Sequence, residues 1–438
     1  MARILKLFIF VLFFILQYFN LFSQKSFDLR FVYPSEVGSD SAFLFSNIDS
    51  IALQGISKGA FPCCRILAAK DGKIFFDKAY GFHTYDNIRA LQKDDIFDLA
   101  SVTKIMGPLP AVMKLCREKK INLDDKISKY WKPFRKSDKS DITFREALSH
   151  QAGFTAWIPF WKQTLNDDKT FKKKYISTKQ TRKFRFQISD SLWISKNFRK
   201  EIYKIINKKE LSKDKKYLYS DLFFIILPEI IEKITGENYE TYIYENFYKQ
   251  VGAKSLCYNP LKKFPVSKIV PTENDLFFRK TLLQGYVHDE GAAAMGGVSG
   301  NAGLFGTAYD LFAMMQMYLD TGNYDGIQIL EKNIVEEFLK IQYPQNDNRR
   351  GLGFDKPLLK DRQNGSCAIS ASSDSFGHSG YTGTFVWADP QNGLVYIFLS
   401  NRVYPTREND KIMKLNIRPS IHEVIYQSFM VFEKSKNE

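Results

Sequence analysis

Histidine, cysteine and tryptophan occur only five times each in 438 residues. Cys63, Cys64, Cys116, Cys257 and Cys367 are odd in number, and their spacings suit neither a zinc site nor a dense disulfide framework. Adjacent Cys63 and Cys64 would point to opposite faces of a strand, so they do not bond to each other. Most of the five read as small apolar fillers, with room for one disulfide outside the cytoplasm. The histidines do not gather into a ligand set. In His288-Asp289-Glu290 the residues are consecutive, and consecutive residues rarely chelate one ion; a loop-anchoring role fits better. No metal and no cofactor are expected.

Nucleic-acid motifs, internal repeats and low-complexity linkers are also missing. The formal net charge of +15 comes mostly from Lys and reads as spread along the chain. Such a surface attracts polyanions, but no nucleic-acid partner is indicated. Long hydrophobic runs are confined to the beginning. Arg3 and Lys6 precede the apolar stretch Leu7 to Phe22, broken by Gln17 and Asn20 and followed by Ser23-Gln24-Lys25. This is the pattern of a secretory signal over residues 1–24, cleaved near Ser23 or retained as an N-terminal membrane attachment. The run is short for a bilayer-spanning helix, and no Cys is placed for a lipoprotein signal. An exported protein of the periplasm or cell envelope is expected.

Apolar residues make up 44% and aromatics 15%, enough for a sizeable core. Phe43 to Lys58 reads as an amphipathic helix. Cys63 to Ala69 and Lys73 to Tyr80 read as strands joined by the hairpin signal Asp71-Gly72. A helix from about Ser101 to Lys119 contains Gly107, Pro108 and Pro110, which predict a kink or break. Thr143 caps a short helix to His150. Phe160 to Lys216 is Lys-rich and weakly periodic, read as surface helices and loops. Asp221 to Thr235 and Tyr239 to Gln250 are helices ended by Gly236 and Gly252. Gly285 to Gly306 is a turn-rich loop. Ala308 to Leu319 and Glu331 to Ile341 are helices, Phe376 to Ala388 and Leu394 to Ser400 a hairpin, and Ile417 to Phe432 a closing helix. The order implies an α+β domain over 25–438: an antiparallel sheet built from both ends of the chain, flanked by N- and C-terminal helices, with a helical subdomain of roughly 105–310 inserted.

Three short motifs carry chemistry. Ser101-Val102-Thr103-Lys104 places a hydroxyl and an amine on one helical face. A serine needs a base, and a lysine can be one only if burial and positive neighbours depress its pKa. Ser212-Lys213-Asp214-Lys215 has the same spacing but lacks both a leading strand and a following apolar helix. Tyr219-Ser220-Asp221 precedes an apolar helix, where a phenol could relay protons. His378-Ser379-Gly380 opens a strand at Tyr381-Thr382-Gly383-Thr384, where an edge strand offers a free N–H to an oxyanion and glycine allows close approach.

Taken in this order, the motifs resemble the serine β-lactamase and penicillin-binding-protein superfamily, closest to its class C-like branch. The resemblance runs from about Phe43 to Phe432. It includes Ile142 to Gly153, which matches the family's I-T-x-x-x-L-L-x-H-x-S-G segment, and Gly296 to Phe305, which matches its Gly-rich segment. The resemblance implies that Ser101 is acylated by an amide or ester and that Lys104 takes its proton. It implies that Tyr219 relays protons and that the N–H groups of Ser101 and Tyr381 form the oxyanion hole. His378 would stand where the family has Lys and bind a substrate carboxylate or tune Tyr219. Asp221, Ser379 and Gly380 would contact substrate, a small molecule or cell-wall peptide. Asp221 stands where Asn is usual and would either raise the pKa of Lys104 or pair with it. Asp221 and the prolines after the nucleophile also suit a competing reading, a non-catalytic wall-binding protein on the same scaffold, and a polyanion-binding module is a third.

Overall fold

The computed structural model describes residues 29–437; the N-terminal run read as a signal or anchor lies outside the described residues. Side chains alternate along the strand Cys63–Lys70: Cys63, Leu67 and Ala69 enter one core, Cys64, Ile66 and Ala68 the other. Both faces are covered, which is why this strand is a nearly continuous apolar run. The two-residue turn Asp71–Gly72, with φ of 50° and 75°, returns the chain into the strand Lys73–Gly81.

These strands form the N-terminal half of a six-stranded sheet in the order Arg30–Phe31, Lys73–Gly81, Cys63–Lys70, Leu394–Ser400, Phe385–Asp389, Phe376–Ser379. The first pair is parallel and every other pair antiparallel. Helices Ser41–Ser57 and Ile417–Asn437 pack together over one face, enclosing Phe61, Trp387, Tyr396 and Phe398. Helix Ala308–Leu319 crosses the other face and joins it to the larger helical core. The architecture is the expected α+β arrangement of an antiparallel-dominated sheet between terminal helices.

Several elements differ from expectation. The stretch 376–388 is two strands, because Gly380–Thr384 turns back on itself: the Gly380 N–H donates to the Thr384 carbonyl at 2.7 Å, and Gly383 takes φ 111°. The helix after Ser101 begins as a tight turn, Ala100–Val102, runs as Thr103–Met106, breaks at Gly107 and resumes as Pro108–Arg117. The Gly-rich segment is more ordered than a loop, with a helix Glu290–Ala294 capped by Asp289 and a strand Leu304–Gly306. All five cysteines are unpaired, with Cys63 and Cys64 on opposite faces of the sheet.

The Lys-rich segment holds a three-stranded sheet, Ile176–Ser177, Leu192–Ile194, Phe186–Ser189, followed by helix Phe198–Lys208. Its two ends are tied together. Ser220 Oγ donates to the Thr155 carbonyl at 2.8 Å, and the Asp221 N–H to the Ala156 carbonyl at 3.1 Å. The segment therefore leaves and rejoins the body close to Tyr219, and between those ends it packs on the body, with Ile176, Ile194, Phe198 and Ile202 joining the main core. The charge excess is not spread along the chain either: residues 160–216 hold eighteen Lys and Arg against six Asp and Glu, twelve of the net fifteen positive charges.

Candidate active site

The approach to Ser101 is held by backbone pairing. Phe97–Asp98 pairs antiparallel with Leu304–Gly306, and the Leu99 N–H donates to the Leu304 carbonyl at 3.0 Å. Ala100 then adopts φ 45°, a conformation few side chains tolerate, and its N–H donates to Asp98 Oδ1 at 2.8 Å. The second carboxylate oxygen of Asp98 accepts the His288 N–H at 2.7 Å. This strained turn projects Ser101 from the start of the helix.

Lys104 lies one turn on and is fully buried. Its Nζ donates to Ser101 Oγ at 3.1 Å and to the Asn301 carbonyl at 3.0 Å, and sits 2.6 Å from Asp221 Oδ1. Two oxygens thus accept protons of the ammonium, and a carboxylate lies in ion-pair contact with it. Burial pulls its pKa down, but the charge of Asp221 and the Tyr219 phenol outweigh that, and the net shift is upward. The expected depression of Lys104 is reversed. Asp221, expected to contact substrate, instead lies behind Lys104 as its counter-ion.

Tyr219 is wedged between the His150 ring, with centroids 4.5 Å apart, and the Arg350 guanidinium, 5.2 Å from its ring. Lys104 Nζ is 5.0 Å from the same ring centroid, and the His378 ring 6.0 Å. Burial raises the phenol pKa, opposed chiefly by Lys104. The Oη is buried without a hydrogen-bond partner, as is His378 Nε2.

His378 Nδ1 faces the Ser379 carbonyl at 2.8 Å. A carbonyl only accepts, so Nδ1 carries the proton and Nε2 is a bare acceptor. Burial, then Arg350 and Lys104, pull the imidazole pKa down to about 3. A neutral ring whose free nitrogen cannot donate suits the alternative expectation for His378, tuning Tyr219, better than binding a carboxylate. His150 has the opposite tautomer: its Nδ1 accepts the Ser220 N–H at 3.1 Å.

The strand Phe376–Ser379 is the edge of the main sheet, and the turn after it is clamped against the nucleophile. Thr382 Oγ1 donates to the Asp98 carbonyl at 2.8 Å and Thr384 Oγ1 to the Leu99 carbonyl at 3.0 Å. A Cβ on Gly380 would lie 2.6 Å from the Leu99 carbonyl, so only glycine permits this approach. The Tyr381 N–H has no backbone acceptor among the described residues.

A cavity of about 300 Å³ opens here, lined by Ser101, Tyr219, His378, Ser379, Gly380 and Tyr381. Six of the eight expected site residues therefore share one space, with Lys104 beneath it and Asp221 beyond Lys104. Sequence reasoning missed the cations on the same wall, Arg350, Arg402 and Arg418. Arg350 lies 3.5 Å from Asp355. Arg402 donates to the Asn409 carbonyl at 2.6 Å and Arg418 to the Thr384 carbonyl at 3.3 Å, and neither has a carboxylate partner among the described residues. Burial and the charge of Arg402 lower the Arg418 pKa to about 10. Arg402 is the second residue after the strand Leu394–Ser400, a place from which a side chain can reach the sheet edge; nothing local marks Arg350.

His288, Asp289 and Glu290 diverge, as a loop anchor would. His288 Nε2 pairs with Glu273 at 2.9 Å, Asp289 caps Ala292, and Glu290 reaches Arg407 at 2.6 Å. His288 also stacks on Tyr381 at 5.7 Å.

Comparison with known proteins gives a consistent result. The family described as Beta-lactamase matches residues 48–416. A Salmonella enteritidis protein named "Putative D-alanyl-D-alanine carboxypeptidase" is 31% identical over 413 residues, 86% of this chain and 87% of its own. Among solved structures, EstCE1, a hydrolase with promiscuous acyltransferase activity, has a TM-score of 0.63 at 16% identity, covering 87% of this chain and 99% of its own. A penicillin-binding protein homologue from Caulobacter crescentus has a TM-score of 0.61 at 17% identity, covering 88% and 97%. At these identities the two structures share the fold.

Proposed function

The chain belongs to the Beta-lactamase family and is a serine hydrolase of that type, and on that premise we propose that it is an exported acyl hydrolase that removes the last residue from peptides ending in a free carboxylate. The observation that carries this reading is the pairing of a nucleophile with an anion site. Ser101 opens into the same cavity as Arg350, Arg402 and Arg418, two of which have no carboxylate partner among the described residues. A desolvated guanidinium without a counter-ion is costly, and a substrate carboxylate supplies one with charge-assisted hydrogen bonds. The D-alanyl-D-alanine carboxypeptidase name of the relatives describes a substrate with such an end. Export is supported by the basic, apolar and polar order of residues 1–25.

Chemically, the Lys104–Asp221 pair acts as the base. As the Ser101 oxygen bonds to the acyl carbon, its proton moves to Nζ while Nζ releases one to Asp221 Oδ1, 2.6 Å away. The oxyanion is received by the N–H groups of Ser101 and Tyr381. Tyr219 passes a proton from the pair to the departing nitrogen as the C–N bond breaks. Water then attacks the ester, the proton transfers repeat, and Ser101 is restored.

The test combines a fluorescent penicillin with a peptide ending in D-Ala-D-Ala. Covalent labelling and release of D-alanine are both expected, and both are expected to vanish in Ser101→Ala. Labelling that survives this substitution refutes Ser101 as nucleophile. Turnover of small esters with no release of D-alanine refutes the peptide reading.

A further inference from the structure

The excursion 160–216 leaves and rejoins the body beside Tyr219 and Asp221, through the bonds of Thr155 and Ala156 to Ser220 and Asp221. Of its eighteen cations all but Lys172 and Arg199 are exposed. Among the described residues, only Lys204, Lys215 and Lys216 of these have a carboxylate within 4.0 Å. The rest of the chain, with forty-five basic and forty-two acidic residues, is close to neutral. A solubilising surface would have mixed signs. This one carries three cations for each carboxylate and joins the body beside the active site, whose own wall holds Arg350, Arg402 and Arg418. At the junction a groove of about 420 Å³ is formed by Trp157, Ile158, Pro159 and Ile205, with Lys208 and Lys209 at its edge. Trp157 is half exposed there.

We propose that this basic lobe is a docking surface for a carboxylate-bearing wall polymer, a glycan strand with acidic peptides, whose chain crosses the Trp157 groove and delivers a peptide end to Ser101. The choice of occupant rests on the peptidase reading above together with charge complementarity: a multi-anion offers each exposed cation a partner, and its terminal carboxylate meets the arginines at the end of the path. An extended anion gains from many such contacts at once, and the field of the lobe raises its local concentration. Small substrates reach Ser101 without using the lobe.

The experiment is co-sedimentation of the mature protein with purified insoluble wall polymer at low and moderate NaCl, run beside acylation by a fluorescent penicillin. The variant Lys173→Gln/Lys179→Gln/Arg182→Gln/Lys183→Gln removes four exposed lobe charges. The matched control Lys58→Gln/Lys73→Gln/Lys119→Gln/Lys340→Gln removes four charges elsewhere. The expected result is roughly ten-fold weaker sedimentation for the lobe variant, a comparable loss in salt, no loss for the control, and equal acylation rates for all three. Equal sedimentation of lobe variant and control overturns the proposal. So does sedimentation indifferent to salt, or binding to anionic phospholipid vesicles or single-stranded DNA as tight as to the wall polymer. Failure of penicillin acylation speaks only against the hydrolase reading, because sedimentation is read independently of it.

Discussion

Lys104 and Lys183 end in the same ammonium group and meet opposite circumstances. Lys104 is fully buried, and Ser101, Asn301 and Asp221 each present an oxygen to it. Lys183 is exposed, its ammonium 4.9 Å from the centre of the Phe184 ring. The regions around them follow suit. In the catalytic crevice, charges are desolvated and mostly compensated: Lys104 by Asp221, Arg350 by Asp355, Glu273 by Arg407 and His288. In the lobe they are hydrated and mostly unmatched. Moving an ion out of water costs several kcal/mol unless a partner replaces the water, so each crevice charge is tied to its neighbour. Water already satisfies the lobe charges, so folding places no constraint on their sign. Their excess of positive sign therefore acts at long range, on whatever approaches the crevice.

The sharpest way to break this contrast is to uncouple the buried pair. With Asp221 present, the Lys104 pKa is raised, so its favourable contribution to stability is complete at neutral pH and lost only as pH climbs through that raised value. Asp221→Asn removes the larger upward pull and leaves that of Tyr219 opposed by burial, which acts downward. Lys104 then sheds its proton at lower pH. The expected outcome is a fall of about 100-fold in kcat/KM at neutral pH, with partial recovery as pH rises, and a loss of roughly 3 kcal/mol of stability in urea unfolding at pH 7. An unchanged pH–rate profile would remove Asp221 from the base.

Arg402 and Arg418 are the exception inside the crevice, being largely desolvated yet without carboxylate partners among the described residues. If a substrate carboxylate completes them, Arg418→Gln should raise KM for a peptide acid about 30-fold with kcat nearly constant, the size of a lost charge-assisted hydrogen bond. The same peptide with an amidated end should respond little. Because Arg402 and Arg418 repel each other, the melting temperature should not fall. Equal KM changes for acid and amide would assign these arginines to the scaffold.

The sequence made the local chemistry legible and left the assembled chemistry obscure. Ser101 and Lys104 share a helical face by spacing alone, and Tyr219 announces itself before the apolar helix Leu222–Thr235. The α+β plan followed from strand patterns at both ends of the chain. Arg350, Arg402 and Arg418 come from three distant segments and converge only through tertiary packing. The strand 376–388 looked continuous because Tyr381, Thr382 and Thr384 favour strands, whereas both threonine hydroxyls bond back to the backbone before Ser101 and force a turn. His378 stands where the resemblance puts a cation, and the Ser379 carbonyl that holds its Nδ1–H, with the burial and the neighbouring Arg350 and Lys104 that disfavour a second proton, is visible only in three dimensions. Asp221 could either pair with Lys104 or raise its pKa by residue type; in three dimensions it does both.

The smallest expected effect tests the other half of the contrast. Lys183→Gln alone should change unfolding free energy by no more than about 0.5 kcal/mol, since its exposed ammonium has no carboxylate within 4.0 Å among the described residues and only the Phe184 ring beside it. Acylation by a small penicillin should likewise be indifferent to the substitution and to NaCl between low and physiological concentrations, because Lys104 is fully buried against Asp221 and shielded from salt. A loss above 1 kcal/mol, or a salt-dependent acylation rate in the wild type that Lys183→Gln abolishes, would mean that lobe charges are coupled to the crevice in the folded state. The lobe would then be part of the catalytic machinery, and its excess of positive sign would need an explanation from within the protein rather than from a partner.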